Sequence, residues 1–73
     1  FTLAGNAQAA LQVYDLAGRL VKTLLDEAPL EAGRHEVTWD GTDDRGRTVA
    51  AGMYLYRLQA GAFSETKTVA LVK

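Results

Sequence analysis

The sequence predicts an all-β fold, an antiparallel β-sandwich of six to seven short strands that forms one domain over residues 1–73. Clusters of Gly, Pro, Asn and Asp divide the chain into short segments, which is typical of all-β domains. These turn signals recur about every ten residues, the spacing of strands in a sandwich. Several segments also alternate apolar and polar residues, which is the period of a half-buried strand.

The size and charge of the chain limit its function. With 73 residues its single core is thin, and domains this small commonly serve as modules of longer proteins. It has no cysteine, and therefore no disulfide, thiolate metal site or thiol nucleophile. Eight basic and nine acidic residues give a formal net charge of −1, which argues against a nucleic-acid partner. No apolar run approaches the ~20 residues of a transmembrane segment.

The N-terminal part predicts a strand remnant and a first full strand. The remnant is Phe1–Ala4, and a Gly-Asn turn separates it from a strand over Ala9–Asp15. Alternation places Leu11 and Val13 of that strand on the same face. A hairpin connection over Asp15–Gly18 follows, in which the glycine can adopt a positive φ.

Arg19–Leu25 predicts the next strand, although its leucines also fit helical spacing and a helix is the alternative. The β-branched residues Val21 and Thr23 and the short preceding turn favour the strand. Pro29 has no N–H group to donate, so we expect the segment to end before it. Asp26–Gly33 is then expected to be an exposed loop.

The C-terminal half predicts three further strands. Arg34–Asp40 alternates, with Trp39 on its buried face. Met53–Gln59 is apolar on both faces, which favours a strand that is covered on both sides or lies at the centre of a sheet. A tight turn at Ala60–Ala62 leads into the last strand, Phe63–Lys73, whose second half is apolar.

An acidic loop is the first candidate for a functional site. Asp40, Asp43 and Asp44 lie beside two glycines, and loops of this kind can bind calcium. However, the EF-hand pattern requires Gly where Arg45 stands and Glu where Ala51 stands, so the calcium hypothesis is weak. We expect the carboxylates to accept hydrogen bonds from nearby backbone N–H groups and to fix the turn. Neighbours in one turn cannot flank a glycosidic bond as a catalytic pair ~5–10 Å apart.

No catalytic or cofactor-binding residue is predicted elsewhere. His35 is the only histidine, so a zinc site lacks a second ligand, and a triad through Ser64 has no support beyond composition. We expect His35 to pack on the same face as Trp39, and Trp39 and Tyr54 to face the core. The alternative is an exposed aromatic platform for sugars, which would make the chain a carbohydrate-binding accessory module of a glycanase.

One set of residues forms the structural signature of the chain: Trp39, Asp40, Gly41, Asp43, Gly46, Gly52 and Tyr54. An aromatic residue ends one strand, an Asp/Gly loop follows, and a glycine opens an aromatic-rich strand. Four longer segments keep the same order and spacing: Val13–Val21, Leu30–Gly46, Val49–Leu58 and Lys67–Lys73. In these residues the chain resembles the Ig-like domain of the flagellar hook-capping protein. It resembles still more the related C-terminal sorting domains of the type IX secretion system.

The resemblance implies an Ig-like β-sandwich of about seven strands without enzymatic activity. Members usually carry a Tyr-Pro-Asn-Pro-Phe-type stretch before the first strand, and its absence here implies that a first strand is missing. The implied function is a C-terminal sorting or attachment module of a larger exported protein, secreted or held at the cell surface. Its partners would be export or anchoring machinery at the outer membrane and the upstream domains of the parent protein.

The recognition surface in this hypothesis is the final strand, consisting of Thr68, Val69, Ala70, Leu71, Val72 and Lys73. The exposed loop near Asp40–Arg47 would contribute as well. The alternative function is a structural Ig-like spacer or assembly domain, as in a hook-capping scaffold.

Overall fold

The computed structural model describes residues 1–72, which form six strands in two antiparallel sheets. The strands are β1 (Thr2–Leu3), β2 (Ala7–Tyr14), β3 (Leu20–Leu30), β4 (Gly33–Arg34), β5 (Gly52–Ala60) and β6 (Phe63–Leu71). The predicted all-β, Ig-like sandwich class is therefore confirmed. These 72 residues contain no helix, and so none that is long and apolar enough to cross a membrane.

The larger sheet has the strand order β3-β2-β5-β6, with β3 and β6 at its edges. The prediction that Met53–Gln59 lies within a sheet is confirmed, because β5 pairs with strands on both sides. The smaller sheet pairs β1 with β4. One further residue pair extends it, since the Phe1 ammonium group donates to the His35 carbonyl at 2.9 Å and the His35 N–H donates to the Phe1 carbonyl at 2.8 Å.

The core lies on one face of the larger sheet. Alternate residues of a strand face the same side, and the register places Leu11 of β2 opposite Leu58 of β5 on the inner face. Leu58 and Val13 are each only 1% exposed. The buried hydrophobic residues are Leu3, Ala9, Leu11, Val13, Tyr54, Leu58 and Ala60. The alternation in Ala9–Asp15 thus predicted the buried face of β2 correctly.

The third strand runs past Pro29, so the predicted loop over Asp26–Gly33 is wrong, whereas the strand over Arg19–Leu25 is confirmed. β3 has 11 residues and β2 has eight, and three register shifts along their ladder absorb the difference. Glu27 has a φ of 49° near one of these shifts. Edge strands tolerate both bulges and proline, because their outer backbone groups need no partner strand.

The predicted strand over Arg34–Asp40 is wrong beyond its first residue. Regular pairing covers only Gly33–Arg34, and residues 35–40 are irregular. Alternation alone does not make a strand, since backbone groups also need a partner to pair with. Within residues 1–72, no strand pairs with this segment after His35. Residues 35–39 instead line a groove of about 540 Å³ together with inner-face residues of the larger sheet.

The predicted final strand is confirmed as β6, which ends at Leu71. The tight turn before it is formed by Gly61 and Ala62. The predicted strand remnant at the N-terminus corresponds to β1. Lys73 lies outside the described residues, and the implied first strand before Phe1 stays a prediction.

Replacing Leu58 by Ala should lower the free energy of unfolding by about 2–5 kcal/mol, because it removes a fully buried side chain and leaves a cavity. Urea denaturation followed by circular dichroism measures this change. Leu16→Ala is the matched control, since Leu16 is 67% exposed and the same atoms are removed. Equal losses in the two variants would contradict this description of the core.

Candidate functional site

The acidic loop over residues 39–47 folds as part of a small hairpin, whereas the sequence predicted only a turn there. Thr42 and Thr48 form an isolated antiparallel bridge. Nearer the tip, the Asp43 N–H donates to the Arg47 carbonyl at 2.8 Å. We call residues 41–49 the corner hairpin.

The Asp43 side chain closes the tip of the corner hairpin. Its Oδ1 accepts hydrogen bonds from the backbone N–H groups of Arg45 and Arg47 at 2.9 and 3.0 Å. Its Oδ2 lies 3.3 Å from Nε of Arg47. Gly46 completes the turn with a φ of 79°, a conformation that costs glycine little.

The same turn is built a second time between β2 and β3. Oδ1 of Asp15 accepts from the backbone N–H groups of Ala17 and Arg19 at 2.9 and 3.0 Å, and Oδ2 accepts from Nε of Arg19 at 2.9 Å. Gly18, with a φ of 87°, takes the place of Gly46. Both turns have the pattern Asp-x-x-Gly-Arg. That repeated pattern is visible in the sequence, although the two turns were predicted separately and not as a repeat.

Asp44 joins the corner hairpin to the edge of the larger sheet. Its N–H donates to the Val21 carbonyl at 3.1 Å, and its Oδ1 accepts from the Thr23 N–H at 3.0 Å. Lys22 adds a bond from Nζ to the Asp43 carbonyl at 3.3 Å. Asp44 thus occupies backbone groups of β3 that a further strand would otherwise use, which is a common way to cover a sheet edge.

Asp40 and Trp39 fix the base of the corner hairpin. Oδ1 of Asp40 accepts from the Thr42 N–H at 3.1 Å and from its hydroxyl at 2.6 Å. The indole Nε1 of Trp39 donates to the Thr42 carbonyl at 2.9 Å, and the ring meets that of Tyr54 edge-on with centroids 5.1 Å apart. Trp39 is half-buried and not part of the buried core that the sequence predicted, because its backbone does not alternate as a strand.

Tyr54 links the loop to the start of β5. Its ring is buried, as predicted, and its hydroxyl donates to the Ala50 carbonyl four residues earlier. A tyrosine at the beginning of a strand that binds the preceding backbone also occurs in Ig sandwiches, where it is called the tyrosine corner. Gly52 precedes it with a φ of 149°. The sequence predicted the orientation of this tyrosine but not its hydrogen bond.

Gly41 brings the corner hairpin against the end of β6. It is buried with a φ of 79°, and a Cβ built on it would lie 3.1 Å from Cδ1 of Leu71. The hairpin therefore contacts β3 through Asp44 and β6 through Gly41, which are opposite edges of the larger sheet. Only a glycine gives both the backbone angle and the close approach.

The predicted recognition strand lies mostly in β6. It is separate from the corner hairpin except at Leu71, which lies beside Gly41. Val69 is half-buried and lies opposite Tyr54 of β5, whereas Thr68 and Ala70 are exposed. Val72 follows the strand and is 85% exposed. Since β6 is an edge strand, one side of its backbone faces away from β5.

His35 is placed differently from its prediction. Its ring stacks on Phe1 with centroids 5.5 Å apart, and Nε2 donates to the Glu31 carbonyl at 2.7 Å. It lines the same groove as Trp39 but does not share a strand face with it. Within residues 1–72, no three His, Cys, Asp or Glu side chains are grouped so that they could hold a metal ion.

Hydrogen bonds lower the pKa of three carboxyl groups in these turns. For Asp15 and Asp43 the main cause is the backbone N–H of the arginine four residues later, with the N–H two residues later and the guanidinium charge adding to it. For Asp40 the main cause is the hydroxyl of Thr42. In each case the bonds favour the ionised carboxylate.

Gly41→Ala should destabilise the fold more than Gly46→Ala. Both residues have a φ of 79°, so each variant loses about 1–2 kcal/mol from the left-handed backbone. Only at position 41 does the new methyl also crowd Leu71, since no atom lies within 4 Å of a Cβ at position 46. Thermal melts of the two variants measure the difference. Equal shifts in the melting temperature would mean that the corner hairpin does not press on β6.

Acid should destabilise the protein through Asp15 and Asp43. Their pKa is lower in the folded chain than in the unfolded chain, so their contribution is present above about pH 4 and is lost as the pH falls through the folded pKa. Asp15→Asn with Asp43→Asn keeps oxygen acceptors and removes the charges. We expect the melting temperature of this double variant to fall less than that of the wild type from about pH 5 to about pH 2.

The matched control for this titration is Asp26→Asn with Glu31→Gln, which removes two carboxylates from exposed residues. Its melting temperature should follow the pH dependence of the wild type. If the control flattened the curve as much as the turn variant, net charge and not the two turns would cause the acid sensitivity.

Comparison with known proteins identifies the family of the chain. A family model described as the FlgD Ig-like domain matches residues 1–63, which include the corner hairpin and both Asp-x-x-Gly-Arg turns. Neither a search of curated proteins nor a search of solved structures found a match. The matched family is the flagellar Ig-like one, so the resemblance to type IX sorting domains stays a prediction. From the extent of this match and the two-sheet fold, the chain belongs to the FlgD Ig-like domain family.

Proposed function

We propose that the chain is a non-catalytic structural module that serves the assembly of a larger protein. One observation carries this proposal: the carboxylates of the acidic loop bind the chain's own backbone. Asp40, Asp43 and Asp44 all accept hydrogen bonds from N–H groups of residues 23–47. The most chemically suggestive part of the sequence therefore stabilises a turn, and the proposed role uses no cofactor.

The family match supports this role, since the FlgD Ig-like domain is a structural family. The way in which the loop is held supports it too. The corner hairpin is attached to one edge of the sheet by Asp44 and rests on the other through Gly41. A loop held at two distant points presents a fixed surface, and a fixed surface loses little conformational entropy when another protein binds.

Residues at the tip of the corner hairpin are suited to such a contact. Arg45 is exposed, and Arg47 is exposed while its Nε stays paired with Asp43. Arginine with a pre-oriented guanidinium group binds carboxylates on a partner at a lower entropic cost than a free lysine does. The upstream domains of the parent protein are the partners that this proposal expects first.

A C-terminal sorting or attachment role at the outer membrane is the second candidate. It is favoured by β6, because the strand predicted for recognition is a regular edge strand with exposed backbone groups. Peptide partners commonly bind such an edge by adding a strand to it. In this candidate the parent protein is secreted or held at the cell surface.

Deleting residues 1–73 from the parent protein should abolish its assembled form and leave the catalytic activity of any neighbouring domain unchanged per molecule. Sedimentation of the purified parent measures the assembly. Leu58→Ala in the full parent is the matched control, since it keeps the chain length and weakens only the core of the module. Unchanged assembly after deletion, or lost activity with intact assembly, would refute the structural role.

A reporter fused to residues 1–73 distinguishes the second candidate in a host with a type IX export system. Export of the fusion, and retention of the same fusion carrying Leu58→Ala, would favour sorting. Retention of a folded fusion would count against it. Binding to insoluble polysaccharide, if Trp39→Ala removed it without lowering the melting temperature, would instead favour the carbohydrate-binding alternative.

A further inference from the structure

Within residues 1–72, the rest of the chain binds one edge of the larger sheet, at β3, and leaves the backbone of the other edge, at β6, without such contacts. At β3, Asp44 binds the backbone of Val21 and Thr23, and bulges and Pro29 interrupt the edge further along. At β6 the register with β5 runs from Gly52 opposite Leu71 to Ala60 opposite Phe63 without a shift. Among the described residues, no backbone hydrogen bond outside the sheet involves 63–71. β6 is therefore the open edge, and open regular edges are templates for strand addition.

The charges of β6 lie on its inner face and are already ordered. Glu65 lies opposite Leu58 and Lys67 opposite Tyr56, so both share the face of the core residues. Nζ of Lys67 is 3.0 Å from Oε1 of Glu65. This hydrogen bond also raises the pKa of Lys67, so the lysine stays charged. An adjacent strand would meet an acid and a base two residues apart on one face.

We propose that β6 pairs in antiparallel orientation with β6 of a second copy of this chain, around a two-fold axis at Thr66. In that register Glu65 lies opposite Lys67 of the second copy, and Lys67 lies opposite its Glu65. Phe63 then lies opposite Val69 on the same face. The result is one continuous sheet of eight strands in a symmetric dimer.

The charges select this register over its neighbours. A two-fold axis perpendicular to the sheet pairs inner residues only with inner residues, so the axis must lie on a residue and not between two residues. Each alternative register therefore moves the axis by a whole residue. An axis at Glu65 places the two Glu65 carboxylates directly opposite each other, and an axis at Lys67 does the same with the two ammonium groups. Like charges directly opposite destabilise a strand pair, whereas opposite charges and aromatic–β-branched pairs stabilise it.

The apolar and polar neighbours agree with the axis at Thr66. Phe63 is 45% exposed in the single chain, and Val69 of the second copy would cover it. On the outer face Ser64 would lie opposite Thr68, and the two Thr66 residues opposite each other. Such hydroxyl pairs are favourable on neighbouring strands. The partner that fits this edge by charge and side-chain pairing is therefore the edge itself.

This inference deepens the proposed assembly role by adding a second copy of the chain, bound at β6, to the upstream domains as a partner, and it rests on that role for its biological use. Pairing through one strand buries a small area, so the dimer belongs to the weak, concentration-dependent class. Analytical ultracentrifugation of residues 1–73 over a wide concentration range is thus the measurement. We expect the mass to rise from 7.9 kDa toward twice that value as concentration increases.

Charge reversal tests the register. Glu65→Lys alone gives two Lys–Lys contacts and Lys67→Glu alone gives two Glu–Glu contacts, so each variant should stay monomeric where the wild type is dimeric. An equimolar mixture of the two variants should restore a dimer, because every contact then joins opposite charges. The double variant Glu65→Lys with Lys67→Glu should also dimerise. Circular dichroism and thermal melts show whether each variant is folded.

A wild type that stays monomeric at every concentration would overturn the proposal. So would a dimer that survives both single reversals, because its interface would lie elsewhere, or a mixture that stays monomeric while both variants are folded. These outcomes leave the assembly role open, since that role is tested by deleting the module from the parent protein. Conversely, if residues 1–73 dimerise but deleting them leaves the assembly of the parent protein unchanged, the assembly role is refuted and the dimer proposal stands.

Discussion

The two hydrogen bonds between Asp44 and β3 hold the part of the chain on which the closure of the sandwich depends. The smaller sheet consists of two strands of two residues each and can cover only a little of the inner face. The rest is covered by the irregular connection between β4 and β5, which lines the groove and then forms the corner hairpin. Asp44 fixes this connection at β3, and the edge-on contact of Trp39 with Tyr54 holds it against β5. Gly41 supplies a further contact, at Leu71 of the opposite edge.

A chain of this size without a disulfide must order its loops by other means. Here one carboxylate organises five residues at a time. Asp15 and Asp43 each bind two backbone N–H groups and one arginine, so one ionised side chain satisfies three donors. Charge-assisted bonds of this kind are stronger than neutral ones. One turn connects β2 to β3 and the other forms the tip that Asp44 attaches to Val21 and Thr23, so the same local arrangement is used twice at the N-terminal end of β3.

The sequence was sufficient for features that depend on local pattern and insufficient for those that depend on a distant partner. Alternation predicted the buried face of β2, and apolar residues on both faces predicted the inner position of β5. The same alternation misled at Arg34–Asp40, because a strand also needs a neighbour and the register of β1 with β4 continues only as far as His35. The prediction that the strand ends before Pro29 was wrong because proline is excluded from central strands, whereas β3 is an edge strand. The contact of Asp44 with Val21 joins residues far apart in the chain, and no local pattern encodes it.

The different treatment of the two edges determines what kind of assembly the fold can support. A sheet with two open edges can add copies without end and form a fibre, whereas a sheet with one open edge can add only one neighbour through it. Asp44, the bulges of β3 and Pro29 cover or interrupt one edge, so growth in that direction is blocked. At β6 the order of Glu65 and Lys67 favours an antiparallel copy and disfavours the two neighbouring registers by like-charge contacts. A closed pair is therefore the assembly that this distribution of covered and open edges permits, and the corner hairpin is the element that makes it closed.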